Sequence, residues 1–215
     1  MILSGRLIRE VLKIGSWKSN TSVELLNIGP NSVDVTLSDN VLIPNFKNSD
    51  HTNYVLDPVT NTIVSNNLNG KDTYDLNDHK LFKEFVIPQS GFILNPGEFI
   101  LGSVNESFNC MEPYENKVFA PMYEGRSTLA RIGLLSHISA AFGDYGFNGS
   151  FTLEIVNLSP WSIKLTPDMR IGQVYFQEVY NKGDAFEVDD IYNGYDQTDC
   201  KPQAPRLGKG RFFHN

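Results

Sequence analysis

Residues 124–154 read EGRSTLARIGLLSHISAAFGDYGFNGSFTLE. At the end of this stretch, Phe151, Leu153 and Ile155 alternate with Thr152, Glu154 and Val156, the period-two pattern of a strand with one face in a core. The polar face of that strand carries Glu154. A carboxylate in the middle of an apolar strand either faces solvent or is buried with a partner. Arg131, the cation earlier in the stretch with no obvious partner of its own, favours the second arrangement.

The start of the stretch has a different pattern. Gly125 precedes 126–132, a run of good helix formers with a serine-threonine start. A helix opening there aims free N–H groups outward, and Arg126, Ser127 and Thr128 add donors at the same end, which suits a phosphate group as well as an ordinary cap. Ser127 and Arg131 stand four apart and share a helical face, while Leu129, Ile132 and Leu134 are free to face the core. Residues 143–149 form a glycine-rich turn between two strands, where Asp144 is placed to accept a sugar hydroxyl.

Outward from this stretch, short strand signals dominate. They cover 32–37, 41–43, 82–87, 91–94, 98–104, 118–122, 163–165 and 170–176, separated by Pro, Gly, Asn and Asp turns. One helix is expected near the N-terminus, capped by Ser4, with Leu7, Ile8, Val11 and Leu12 on one face and Gly15 at its end. Many short strands and little helix indicate an all-β barrel or sandwich. We expect one domain over 1–179, with 44–80 as a loop and hairpin insertion. The polar tail at 180–215 is either unstructured or a flap that orders over a ligand.

Composition narrows the function classes. The chain has 215 residues, 40% hydrophobic and 12% aromatic, with a formal net charge of −7. That balance argues against a general nucleic-acid backbone binder. No apolar run is long enough for a membrane span and the N-terminus lacks a signal-peptide pattern, so a cytoplasmic location is expected. Cys110 and Cys200 form no CxxC pair, which removes a zinc ribbon or redox motif and leaves both as expected free thiols.

The pieces at 125–134, His137, Ala140, Asp144, Gly149 and 152–154 together resemble the dCTP deaminase branch of the trimeric dUTPase superfamily. The likeness extends to MILS at the start, 32–37, 95–99 and 171–173, and is weakest over 44–80 and the tail. It implies a distorted jelly-roll β-barrel of the dUTPase-like type, with a short N-terminal helix and one short central helix. It also implies a homotrimer with active sites at subunit interfaces, and conversion of dCTP and water to dUTP and ammonia with Mg2+ carried on the triphosphate.

By matching position, Glu154 is the expected general base, with Ser127, Arg131 and the backbone carbonyl of Ala140 handling the attacking water. Arg126, Ser127, Thr128 and Gln173 are expected on the triphosphate. Asp144 takes the 3′-hydroxyl, and Thr152 and Leu153 flank Glu154 at the base. Tyr192, Tyr195 and Gln197 are candidates for the closing flap. The zinc-deaminase signature H-x-E…P-C-x-x-C is absent, so a metal-free route is expected, with no zinc.

There are departures from the family pattern. Gly143-Asp144-Tyr145-Gly146 replaces the frequent Ile-Asp-Pro-Gly, Thr128 replaces a serine, and Phe142 stands where some members have arginine. The tail lacks a clear Lys-Tyr-x-x-Gln match. The alternatives are a dUTP diphosphatase, disfavoured by Glu154, a bifunctional enzyme ending at dUMP, and a non-catalytic jelly-roll nucleotide-binding protein.

Overall fold

The computed structural model describes residues 1–13, 17–44, 54–60, 62–65, 73–75, 81–110, 113–180 and 200–203. The chain opens with α1 (Gly5–Lys13), β1 (Lys18–Ser19), β2 (Asn27–Ile28), β3 (Val33–Thr36) and β4 (Asn40–Pro44). Then come β5 (Tyr54–Asp57), β6 (Thr62–Ser65), β7 (Thr73–Asp75), β8 (Phe82–Val86), β9 (Phe92–Leu94), β10 (Phe99–Ser103) and β11 (Phe108–Asn109). The second half holds β12 (Val118–Gly125), α2 (Ser127–Arg131), β13 (Leu134–Leu135), β14 (Asn148–Gly149), β15 (Thr152–Asn157), β16 (Ile163–Leu165) and β17 (Arg170–Val179).

Two antiparallel sheets carry the fold, a distorted all-β jelly roll. One runs β13-β15-β10-β4-β8, the other β12-β17-β3-β2, and the described residues add three smaller sheets. Their inward residues form one cluster. Val41, Ile100, Leu134, Leu153 and Ile155 come from the first sheet, and Val33, Val35, Phe119, Tyr123, Ile171, Val174 and Phe176 from the second. Trp17 closes one end, its ring centroid 4.8 Å from Phe176 and 5.4 Å from Phe119. Burying rings of this size contributes the largest share of hydrophobic stabilisation per residue, with edge and tilted contacts adding to it.

The N-terminal helix forms as its sequence predicts. The Leu7 N–H donates to Ser4 Oγ, Ile8 and Val11 are buried, and Leu7 and Leu12 pack against the core. Gly15 lies outside the described residues. Within 44–80, strands β5, β6 and β7 pair antiparallel in that order. No helix among the described residues is long and apolar enough to cross a membrane.

Two expectations about the central stretch change. The helix is shorter than 126–132. Arg126 occupies its cap position without a side-chain cap bond, α2 ends at Arg131, and Gly133 takes φ +82 to start β13. A Cβ at Gly133 would lie 2.8 Å from Ser159, so both the turn and the close approach require glycine. Ile132 consequently leaves the helical face and is exposed, while Leu129 and Leu134 do face the core. The turn at 143–149 is not a hairpin. Its last two residues are β14, which pairs with β11 in a different sheet from β13 and β15.

Candidate active site

β15 alternates as its sequence requires, with Leu153, Ile155 and Asn157 buried and Thr152, Glu154 and Val156 partly exposed. It pairs with β10 along five residues, from Thr152 opposite Ser103 to Val156 opposite Phe99. On its other side, β13 covers only Asn157 and Val156, opposite Leu134 and Leu135. Among the described residues, strand pairing on that side of β15 stops at Val156.

Continuing the β13 register past its last pair sets His137 across from Glu154. His137 Nδ1 lies 3.6 Å from Glu154 Oε2, and the Ile138 N–H donates to the same oxygen at 3.4 Å. The Glu154 side chain is 26% exposed, neither free in solvent nor sealed in the core. Its partner is His137 rather than Arg131. The sequence signal for this pairing was the strand register, which depends on contacts remote along the chain.

The 136–138 turn is anchored from below by β12. The buried Tyr123 Oη donates to Ser136 Oγ at 2.8 Å, and Ser136 Oγ donates to the Ile171 carbonyl at 3.4 Å. The Tyr123 ring meets His137 edge-on, with centroids 5.9 Å apart. Burial drives the Tyr123 phenol well above its ordinary pKa, partly opposed by its bond to Ser136, with the Glu124 and Glu154 carboxylates pushing the same way as burial. It is thus a fixed neutral donor. Gly172 makes room for it: a Cβ there would overlap the Tyr123 ring and hydroxyl.

The water-handling candidates lie elsewhere. Ser127, Thr128 and Arg131 are exposed on α2, and Arg131 forms no ion pair among the described residues. β13 begins opposite Asn157, so α2 enters from that end of β15, roughly 10 Å along the strand from Glu154 at ~3.3 Å per residue. One chain does not bring Ser127 and Arg131 onto the carboxylate. Ala140 and Asp144 are both exposed, Ala140 between β13 and the 143–149 turn and Asp144 within that turn. The Phe147 N–H bonds the Asp144 carbonyl at 3.0 Å, and Gly143 N–H is held by the Pro121 carbonyl at 2.8 Å.

A second polar cluster surrounds Asp34 on β3. Arg126 reaches Asp34 Oδ1 at 2.9 Å, while Arg170 approaches Oδ2 at 3.3 Å. Asn27 Nδ2 also donates to Oδ2, at 2.8 Å. Gln173 sits directly opposite Asp34, and its Oε1 accepts the Ser32 hydroxyl at 2.9 Å. The structure thus brings Arg126 and Gln173 to the same sheet face. Asp34 and Arg170 were not singled out from the sequence.

Leu153 is fully buried, so only its backbone is available to a ligand. The Thr152 hydroxyl accepts the backbone N–H of Gln203 at 3.1 Å, and Pro202 is buried, which places the described tail segment beside the Thr152 end of β15. Tyr192, Tyr195 and Gln197 lie outside the described residues. Among the described residues, no group of three or more His, Cys, Asp or Glu side chains is placed to hold a metal ion.

The comparisons with known proteins agree on one family. A family model described as dCTP deaminase-like matches residues 2–179. A dUMP-forming dCTP deaminase of Clostridium beijerinckii is 35% identical over 187 residues, spanning 86% of this chain and 87% of that protein. A protein of the same name from Halobacterium salinarum is 39% identical over 122 residues, 57% of this chain and 60% of its own length. Among solved structures, a 2′-deoxycytidine 5′-triphosphate deaminase from Agrobacterium tumefaciens superposes with a TM-score of 0.55 at 18% identity, covering 81% of this chain and 47% of that one. This last likeness bears on the fold.

Proposed function

Because the chain belongs to the dCTP deaminase-like family, we propose that it deaminates dCTP and carries the product on to dUMP, releasing ammonia and diphosphate. The sequence alone favoured dUTP as the end product. The relatives spanning most of this chain are named dUMP-forming, and they support the bifunctional alternative. The observation that carries the deaminase half is Glu154, a half-buried carboxylate oriented by His137 and the Ile138 N–H next to Thr152 and Leu153.

In this reading the cytosine lies beside Glu154, with Thr152 and Leu153 flanking it. Glu154 takes a proton from water as the oxygen bonds to C4, and delivers it to N3. Glu154 then passes the proton of the new C4 hydroxyl to the exocyclic nitrogen, which leaves as ammonia as the C4 carbonyl forms. Ser127, Arg131 and the Ala140 carbonyl steady the water. General acid–base transfer contributes roughly 10²–10⁴-fold and positioning supplies much of the remainder. Mg2+ belongs to the substrate, carried on the triphosphate, which Arg126, Ser127, Thr128 and Gln173 hold. Asp144 holds the 3′-hydroxyl, and in the second half-reaction the water that attacks the α-phosphate.

The separation of α2 from Glu154 within one chain supports completion of the site by a second copy, in a homotrimer. Glu154→Gln and Arg131→Ala variants, each inactive alone, should then regain part of the activity when unfolded and refolded together. No recovery in the mixture would place both residues in one chain's site.

The deciding experiment is product identification. Protein incubated with dCTP and Mg2+ should release ammonia, diphosphate and dUMP in equal amounts. Accumulating dUTP would restrict the enzyme to the first step, and no ammonia at saturating dCTP would sink the deaminase reading. Glu154→Gln should abolish ammonia release while dCTP still binds.

A further inference from the structure

We propose that Arg170 is a second triphosphate-binding arginine, and that Asp34 holds it beside Arg126 as an exchangeable counter-charge. The identity of the anion rests on the dCTP reading above.

The argument starts from strand geometry. In a regular strand, residues 170 and 173 would face opposite sides of the sheet. Here the β17–β3 register shifts between Arg170 and Gly172: Arg170 pairs with Thr36, yet Gly172 pairs with Val35 and Gln173 with Asp34. Thr36 and Asp34 stand two apart on β3 and share a face. The extra residue in β17 therefore turns Arg170 onto the face that carries Gln173, as β-bulges commonly re-aim a side chain. Arg126 reaches the same place from the end of β12.

The charges fit an anion. Two guanidinium groups divide one carboxylate, one on each oxygen, and Asn27 already occupies part of Oδ2. Asp34 cannot neutralise both cations. The Arg170 side chain is 57% exposed and Arg126 31%, so both pairs are held weakly and exchange readily. Gln173 has its oxygen taken by Ser32, which leaves its amide nitrogen as the donor for a ligand. The acidic neighbour on this face is Glu124, exposed and opposite Gln173, which suits a magnesium-loaded triphosphate better than a bare one. A triphosphate presents several charged oxygens at the spacing a pair of arginine forks can grip, and it outcompetes a single carboxylate.

The test uses inorganic triphosphate as a direct probe, titrated calorimetrically into the full-length protein, alongside dCTP kinetics. Arg170→Gln should weaken triphosphate binding about tenfold, as expected for one lost charge-assisted contact. KM for dCTP should rise by a similar factor, with the loss falling on KM more than on kcat. Arg170→Lys should recover part of it. Binding of deoxycytidine, which has no phosphate, should stay within about twofold of wild type. Triphosphate affinity of Arg170→Gln within about twofold of wild type would overturn the proposal. The titration needs no turnover, so it reads Arg170 even in a protein that releases no ammonia; that latter result would sink the deaminase reading instead.

Discussion

Glu106 offers a sharp test of how the two sheets are joined. It follows β10 and is buried, with 8% of its surface exposed. Its carboxyl accepts the Thr36 N–H at 2.8 Å and the Thr36 hydroxyl at 2.9 Å, tying the end of β10 to β3. Replacing it with alanine removes two hydrogen bonds to a charged group and strands a backbone donor. Such bonds contribute about 1.5–3 kcal/mol each, less the relief of no longer burying a carboxylate, for a net cost of about 3 kcal/mol. For a chain of this size that is a fall in Tm of about 6–12 °C.

The pH dependence of Glu106 has a definite sign. Burial raises the carboxyl above its ordinary value of 4.5, opposed by the two Thr36 bonds and assisted by the Asp168 charge. A folded-state pKa above the unfolded one means the folded protein binds the proton more tightly. The stabilisation from this group is then full below about pH 4.5 and is lost as pH rises through the folded value. Glu106→Gln cannot titrate, so its stability relative to wild type should improve as pH rises from 4 towards 7, as roughly one proton's linkage allows. Thermal unfolding at fixed protein concentration, from pH 4 to 8, measures both effects. An alanine variant within about 0.5 kcal/mol of wild type, or a glutamine variant that loses ground as pH rises, would refute the reasoning.

Three further outcomes follow from the geometry. Gly172→Ala forces its Cβ into the Tyr123 ring and should cost about 1–3 kcal/mol by overpacking, seen as an earlier urea midpoint at unchanged m-value. Asn157, fully buried, donates to the Leu94 and Trp161 carbonyls at 2.9 and 2.8 Å and accepts from Ser159 N and Oγ at 2.9 and 2.7 Å; Asn157→Ala should cost about 3–4 kcal/mol in chemical denaturation. His137→Asn should lower kcat for ammonia release about tenfold and leave Tm within a few degrees, because it removes an orienting partner of Glu154 without opening the core. An unchanged kcat would detach His137 from the proposed base.

What the sequence disclosed follows from the range of each signal. The alternation of Leu153 and Ile155 with Glu154 is written in six adjacent residues, so the face assigned to Glu154 was correct. Turn residues are equally local, and strands β8, β9 and β10 fall where Pro88, Asn95, Pro96 and Gly97 delimit them. Ile132 was misplaced because a helical period was carried past the residue where α2 stops. The 143–149 segment was correctly a turn, but the strands it joins are decided by distant partners, Asn109 and Phe108 for β14. The same limit hid His137. Its place across from Glu154 exists only once Leu135 is set against Val156. Arg170 was hidden more deeply, since its face depends on one extra residue in β17 relative to β3.

These nonlocal contacts converge on β12. Its pairing with β17 runs unbroken from Val118–Val179 to Gly125–Gly172, and alternation sends Tyr123 inward and Glu124 outward. Tyr123 supports Ser136 and His137 beneath Glu154, on the proposed base side. Three residues later Arg126 meets Asp34, on the proposed phosphate side. One strand therefore couples the Glu154 side of one proposed site to the Arg126 phosphate group, which in the trimer reading serves the neighbouring copy's site. Binding energy gathered at a remote phosphate can serve the reacting carbon only if the strand that joins the two sites is rigid. Tyr123 has no slack in which to move, because it fills the space left by Gly172 and its hydroxyl is bonded to Ser136. A lesion at Gly172 should consequently disturb kcat and KM together. Lesions at Arg126 or Arg170, which touch only one end, should act mainly on KM.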